Sequence, residues 1–120
     1  MGLFNRTTDK TTVPEVTPTQ ARMLAKSQNA LLLDVREDNE WNAGHAPDAT
    51  HMPLGSLRPH QVPADRVVVT MCRSGGRSGK AARQLAKAGI DVRNMSGGMA
   101  DWQSSGLPVV RDGGGTGTVA

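Results

Sequence analysis

The chain has 120 residues, which suits one ordinary domain and is short for two. Its formal net charge is +3, it carries one cysteine, and its aromatic residues are two Trp, one Phe and no Tyr. This composition excludes an internal disulfide, argues against a nucleic-acid surface for want of a dense basic patch and stacking rings, and leaves the core to Val, Leu, Ile, Met and Ala.

Residues 1–13 are polar, Thr-rich and without periodicity, and are expected to form a flexible leader. The Met1-Gly2 start suggests a myristoylation signal, but Arg6 stands where Ser or Thr is needed. No apolar run is long enough for a signal peptide or a membrane span, so a soluble, cytoplasmic protein is expected. Thr17-Pro18-Thr19-Gln20 is a capping-box pattern and predicts a helix to about Ser27. Ala30 to Val35 is a continuous apolar run with Asp34 near its end, as in a strand buried on both faces. Glu37 to Gly44 reads as a short helix closed by Gly44, and Ala49 to Leu54 as a weak strand ended by Pro53. Residues 55–65 are irregular, with at most one helical turn. Arg66 to Met71 is the strongest strand pattern. A helix follows from about Ser78, with Ala81, Ala82, Leu85 and Ala86 available for its inner face and Gly89 as its stop. Ile90 to Met95 suggests a short strand. Gly97 to Gly106 suggests a glycine turn and a brief helix, and residues 112–120 a flexible Gly-rich tail. The alternation of helices with buried-type strands predicts one α/β domain over residues 14–111, with a central, mostly parallel sheet and helices on both faces.

The single cysteine, Cys72, falls just after the strongest strand and before the best helix. Sites in open α/β sheets gather at such carboxyl ends of strands. The turn Arg73, Ser74, Gly75, Gly76, Arg77, Ser78 can aim backbone N–H groups inward, the two glycines supplying the φ values a concave turn needs. The helix start and two guanidinium groups add positive potential. An anion is expected at the centre, and the thiolate of Cys72 is the nearest candidate. A free thiol is only ~3% ionised at pH 7, and a pKa lowered by ~2 units needs ~2.7 kcal/mol of preferential stabilisation. The competing reading, an inert core cysteine, does not call for this pattern of glycine and arginine.

Neighbouring motifs fail. Gly79-Lys80 lacks the first glycine and the following Ser or Thr of a phosphate-binding P-loop. His45, His51 and His60 show no metal-ligand spacing, so no metal is expected. Lys80, Arg83 and Lys87 share a helix face best read as solvated.

Three stretches in order resemble the rhodanese family: Leu31 to Leu57 with Asp34-Val35-Arg36, Glu40-Trp41, Gly44-His45 and Pro47; the loop Cys72 to Ser78; and Gly97 to Trp102. The resemblance runs from about Val16 to Val110. It implies a rhodanese-like fold and sulfurtransferase chemistry without metal or organic cofactor. Cys72 would take sulfane sulfur from a small anionic donor such as thiosulfate, hold it as a persulfide, and pass it to cyanide or a thiol acceptor, with a sulfur-relay protein as a further partner. Arg73, Ser74, Gly75, Gly76, Arg77 and Ser78 would cradle the persulfide, Arg73 and Arg77 binding the donor. Asp34 and Arg36, at the end of a strand beside the site, read equally as support for the loop by charge-assisted hydrogen bonds or as a framework salt bridge elsewhere, and His45 would be structural. Cysteine phosphatases of this fold place Arg six residues after Cys; here Arg77 is the fifth and Ser78 the sixth, a tighter ring that favours sulfur. The alternatives are a non-catalytic interaction module that keeps the fold, against which the intact loop argues, and a persulfide carrier for a partner protein. Asp48 stands where the family often has glycine.

Overall fold

The computed structural model describes residues 12–120. Residues 1–11 of the expected leader lie outside the described residues, and its last residue, Val13, packs against the core. The elements in chain order are β1 (Glu15–Val16), α1 (Pro18–Gln28), β2 (Leu31–Asp34), α2 (Asp38–Ala43), β3 (Thr50–His51), β4 (Val68–Met71), α3 (Gly76–Lys87), β5 (Val92–Met95) and α4 (Gly98–Ser104). Two short 3-10 turns, Leu54–Ser56 and Pro59–Gln61, lie between β3 and β4.

One sheet holds all five strands in the order β1-β5-β4-β2-β3, and every pairing is parallel. Parallel strands need helical crossovers, and those crossovers cover both faces. Every residue of β2 and of β4 is accordingly buried. On one face Ala81, Ala82 and Leu85 of α3 meet Leu31, Leu33, Val35 and Val68. On the other, Ala21 of α1 and Met99 and Trp102 of α4 meet Leu32, Val69, Met71 and Met95. No described helix is long and apolar enough to cross a membrane. From β2 the chain moves outward to β3, and from β4 it moves the opposite way to β5. The order therefore reverses between β2 and β4, and their carboxyl ends, Asp34 and Met71, frame the crevice where such sheets place their sites.

The start of α1 is as its sequence dictates. Thr17 Oγ1 accepts from Gln20 N–H at 3.1 Å and Gln20 Oε1 accepts from Thr17 N–H at 2.9 Å. Strand β1 has no signal in the sequence, because two residues carry no periodicity. Tertiary bonds form it: Asn94 N–H donates to Pro14 O and Ser96 N–H to Val16 O. Asp48 takes the left-handed conformation, φ 66°, that explains the family's glycine there; Asp tolerates it better than most residues.

The segment expected to trail as a flexible tail instead turns back onto the domain. Val110 forms antiparallel bridges with His45 and with Thr116. Gly117 N–H donates to Val109 O, Thr118 N–H donates to Ala43 O, and Val119 packs on the core. Gly44 closes α2 as expected, but its extended φ of 165° does not require glycine. Space does: a Cβ on Gly44 would lie 2.5 Å from Thr118 O and 2.7 Å from Val109 Cγ1.

Gly44→Ala is therefore expected to destabilise the fold by about 1–3 kcal/mol, the usual cost of overpacking, and to speed hydrogen exchange at the Thr118 amide. Denaturant unfolding and exchange measurements check this; unchanged values in both would contradict the packing described.

Candidate active site

Cys72 is the residue after β4, and only 1% of its surface is exposed. Gly75 N–H donates to its Sγ at 3.1 Å. The turn that brings this N–H back to the sulfur passes through Gly75 at φ 111°, a conformation other residues rarely adopt, and α3 starts at once with Gly76. The helix thus begins earlier than the sequence suggests. Gly76 lies in its first turn with open space around a would-be Cβ, so of the glycine pair only Gly75 is demanded by geometry.

A loop can aim N–H groups inward only if its carbonyls find partners elsewhere. Here α4 supplies them. Met99 N–H donates to Cys72 O at 2.7 Å and Ala100 N–H to Arg73 O at 3.0 Å, two amides of the helix start that lack intrahelical partners. The approach is close. A Cβ on Gly98 would stand 2.4 Å from both C and O of Arg73, which explains the late glycine pair. The Gly75 carbonyl accepts from Asn94 Nδ2 at 3.2 Å. Thr70 Oγ1 lies 3.0 Å from Ser78 O and 3.3 Å from Asn94 Oδ1, so buried polar residues of β4 and β5 tie down the far side of the loop. Asn94, Thr70 and Gly98 were missed as site residues. The available signal was polar residues within buried strands.

Two effects oppose each other at Cys72. Burial pushes the thiol pKa up. Hydrogen bonds from the Ser78 hydroxyl and N–H, and from the N–H groups of Gly75 and Ser74, outweigh it, and the net shift is downward from the ordinary thiol value. Ser78 is fully buried, and its Oγ also lies 3.2 Å from Gly75 O. Its one proton can serve that carbonyl or the sulfur, not both.

The two loop arginines differ. Arg73 is exposed, and its Nε donates to the main-chain oxygen of Ala120 at 2.9 Å, leaving its terminal nitrogens to solvent. Arg77 does not stand free for an anion as expected. Its two terminal nitrogens clasp Glu40 of α2, at 2.7 Å to Oε1 and 2.8 Å to Oε2. The Arg77 bond holds the Glu40 carboxyl down at about 2. Of the two readings of Asp34 and Arg36, the structure shows the framework salt bridge and not support of the loop. Both residues are fully buried, and Arg36 reaches Asp34 through Nε and NH2 and the Gly44 carbonyl through NH2 at 2.8 Å. None of these bonds touches residues 72–78; the pair joins the end of β2 to the end of α2. Trp41 stacks between His45 and His51, with centroid distances of 3.5 and 4.8 Å, and His45 lies against Asp112. His45 therefore packs, as expected, rather than facing the thiol.

The whole arrangement stabilises negative charge on a buried sulfur by oriented dipoles. Comparison with known proteins agrees in kind. The profile of the rhodanese-like domain matches residues 17–105. A sulfurtransferase of Allochromatium vinosum is 39% identical over 93 residues, 75% of this chain and 87% of that protein. The thiosulfate sulfurtransferase GlpE of Actinobacillus pleuropneumoniae serotype 7 is 33% identical over 101 residues, 82% of this chain and 94% of that one. The chain spans only 55% of another relative, the protein slr1261 of Synechocystis, at 35% identity. Among solved structures, a rhodanese-related protein of Thermoplasma volcanium superposes with a TM-score of 0.75 at 25% identity, covering 81% of this chain and 97% of that one.

The lowered thiol pKa fixes the sign of a pH experiment. The thiolate persists to lower pH than in free cysteine, so the alkylation rate of Cys72 by iodoacetamide should rise through a midpoint below that of free cysteine. Ser78→Ala should move the midpoint up. A wild-type midpoint at or above that of free cysteine would contradict the geometry.

Proposed function

We propose that this chain, which belongs to the rhodanese-like domain family, is a sulfurtransferase that moves sulfane sulfur through a persulfide on Cys72. The observation that carries the proposal is the buried Sγ at the end of β4 with Gly75 N–H aimed at it. A family relative named as a thiosulfate sulfurtransferase supports thiosulfate as the test donor.

The cycle has two displacements. The Cys72 thiolate attacks the outer sulfur of thiosulfate. A bond forms between the two sulfurs, the donor's sulfur–sulfur bond breaks, and sulfite leaves with the electron pair. The charge then rests on the outer sulfur of the Cys72 persulfide. Cyanide or a thiolate next attacks that outer sulfur, and Cys72 leaves as thiolate. No oxidant, reductant, metal or organic cofactor enters the balance.

Each residue has a physical task. The N–H groups of Ser74, Gly75 and Ser78, with the Ser78 hydroxyl, hold the negative sulfur before and after transfer. Arg73, exposed at the mouth of the loop, attracts the anionic donor. Gly75 allows the turn, and Gly76 opens α3, whose positive end faces the same point. Asp34 and Arg36 act at a distance by fixing the chain between β2 and α2. A free thiol as nucleophile suits a reducing, cytoplasmic setting, where a small thiol or a sulfur-relay protein can accept the sulfur.

Cys72→Ser is expected to abolish thiosulfate:cyanide sulfur transfer while leaving the unfolding midpoint close to wild type, since the change is nearly isosteric. Steady-state kinetics should be ping-pong, with parallel double-reciprocal lines. Arg73→Ala should raise the KM for thiosulfate roughly fivefold with little change in kcat, as loss of a rim charge does. Transfer retained by the Cys72 variant would overturn the mechanism.

A further inference from the structure

The clasp between Glu40 and Arg77 is not needed for any step of the proposed cycle. It sits directly beside the loop, because Arg77 lies in the first turn of α3 between Gly75 and Ser78, both of which bond the sulfur. The Arg77 guanidinium interacts chiefly with Glu40 and more weakly with the Cys72 sulfur. Glu40 is itself held rigidly. Its Oε1 also accepts from Glu37 N–H at 3.0 Å, as the third residue of the α2 capping box, and its side chain is only 14% exposed. The carboxylate is thus held on Arg77 from its own helix start, while the Arg77 side chain stays partly exposed.

The consequence is electrostatic. A guanidinium and a carboxylate in bidentate contact offset much of each other's field at distances beyond their own separation. The loop then holds its anion mainly by N–H dipoles, whose reach is short. Dipoles serve the sulfur they touch. They do little for charge carried at the far end of a donor. Of the loop's two guanidinium groups, Arg73 alone, at the exposed rim, acts over longer range.

We propose that Glu40 is a specificity-determining residue: by pinning Arg77 it cancels one of the loop's two positive charges, and so biases Cys72 against doubly charged sulfur donors and toward singly charged or neutral ones. This rests on the sulfurtransferase function proposed above. The donors it favours relative to thiosulfate are compounds whose sulfane sulfur leaves a group of low charge, such as organic thiosulfonates and organic persulfides. With a thiosulfonate the Cys72 thiolate takes the outer sulfur, the donor's sulfur–sulfur bond breaks, and a sulfinate departs with the electron pair.

Glu40→Gln separates this role from a structural one. Glutamine also serves the third position of a capping box, so α2 keeps its start, while the charge that pins Arg77 is gone. Four proteins are compared: wild type, Glu40→Gln, Arg77→Gln and the double variant. The probes are thiosulfate, with two charges, and benzenethiosulfonate, with one. The ratio of their kcat/KM values should rise roughly fivefold in favour of thiosulfate in Glu40→Gln, the size expected of one partly screened charge nearby. It should fall in Arg77→Gln, which leaves Glu40 uncompensated, and return to within about twofold of wild type in the double variant. Added salt should shrink all these differences. The ratio of iodoacetate to iodoacetamide alkylation rates at Cys72 should follow the same order, and it needs no sulfur transfer. If neither donor loads sulfur onto the wild type, the sulfurtransferase function falls while the alkylation ratios still judge Glu40. If the ratios are the same in all four proteins, or both single variants lose rate equally with charged and uncharged probes, Glu40 is a structural anchor and the proposal is wrong. Should Glu40→Gln fail to fold, Glu40→Met takes its place in both the single and the double variant, and an unchanged ratio there overturns the proposal.

Discussion

The Cys72 loop turns on one conflict: a sulfur that the proposed cycle charges negatively is only 1% exposed. Removing an anion from water is costly, and only groups already aimed at it can offset the loss. The N–H groups of Ser74, Gly75 and Ser78 fill that role. Turning them inward forces the carbonyls of Cys72 and Arg73 outward, where they would be orphaned. The start of α4 donates an N–H to each, and Gly98 lets it come close enough to do so. Two helix N-termini thus meet at one turn. The start of α3 faces the sulfur, and the start of α4 faces the back of the peptide groups that hold it.

The fold makes this meeting cheap to arrange. An all-parallel sheet sends every strand out at the same edge, so the end of β4, the end of β2 and the starts of α3 and α4 converge without special loops. The remaining polar anchors keep neighbouring pieces in register. The buried Asp34–Arg36 pair spends its bonds on itself and on Gly44, fixing the end of α2. That helix in turn presents Glu40 to Arg77. The C-terminal segment lies across Gly44 and reaches Arg73 with its last residue, so α2 and the rim of the loop share one strap. Of the two loop arginines, only Arg77 is paired with a side-chain charge among the described residues, that of Glu40.

The sequence is legible where local chemistry decides. The capping box of α1, the apolar runs of β2 and β4 and the glycine that reverses the chain after Cys72 all act over a few residues, and each appears where expected. The site was legible to the same degree: Cys72, Gly75 and Ser78 meet because the strand–turn–helix that joins them is continuous. What the sequence hides is long-range pairing. Nothing local says that Arg77 will meet Glu40, that Gly98 will lie under Arg73, or that Arg36 will fold back on Asp34 instead of reaching the loop. The tail shows the same limit. A glycine-rich run looks free, yet Gly117 and Gly44 pack where no side chain fits, and glycine there permits contact instead of motion. The two-residue strand β1 exists only because β5 lies beside it.

The account stands or falls on whether Cys72 carries the transferred sulfur. The direct measurement is the intact mass of the reduced protein, taken before and after excess thiosulfate and again after cyanide. A gain of one sulfur atom, mapped to Cys72 and lost as thiocyanate appears, is the predicted result. A Cys72 that alkylates readily as a free thiol yet gains no sulfur would contradict it.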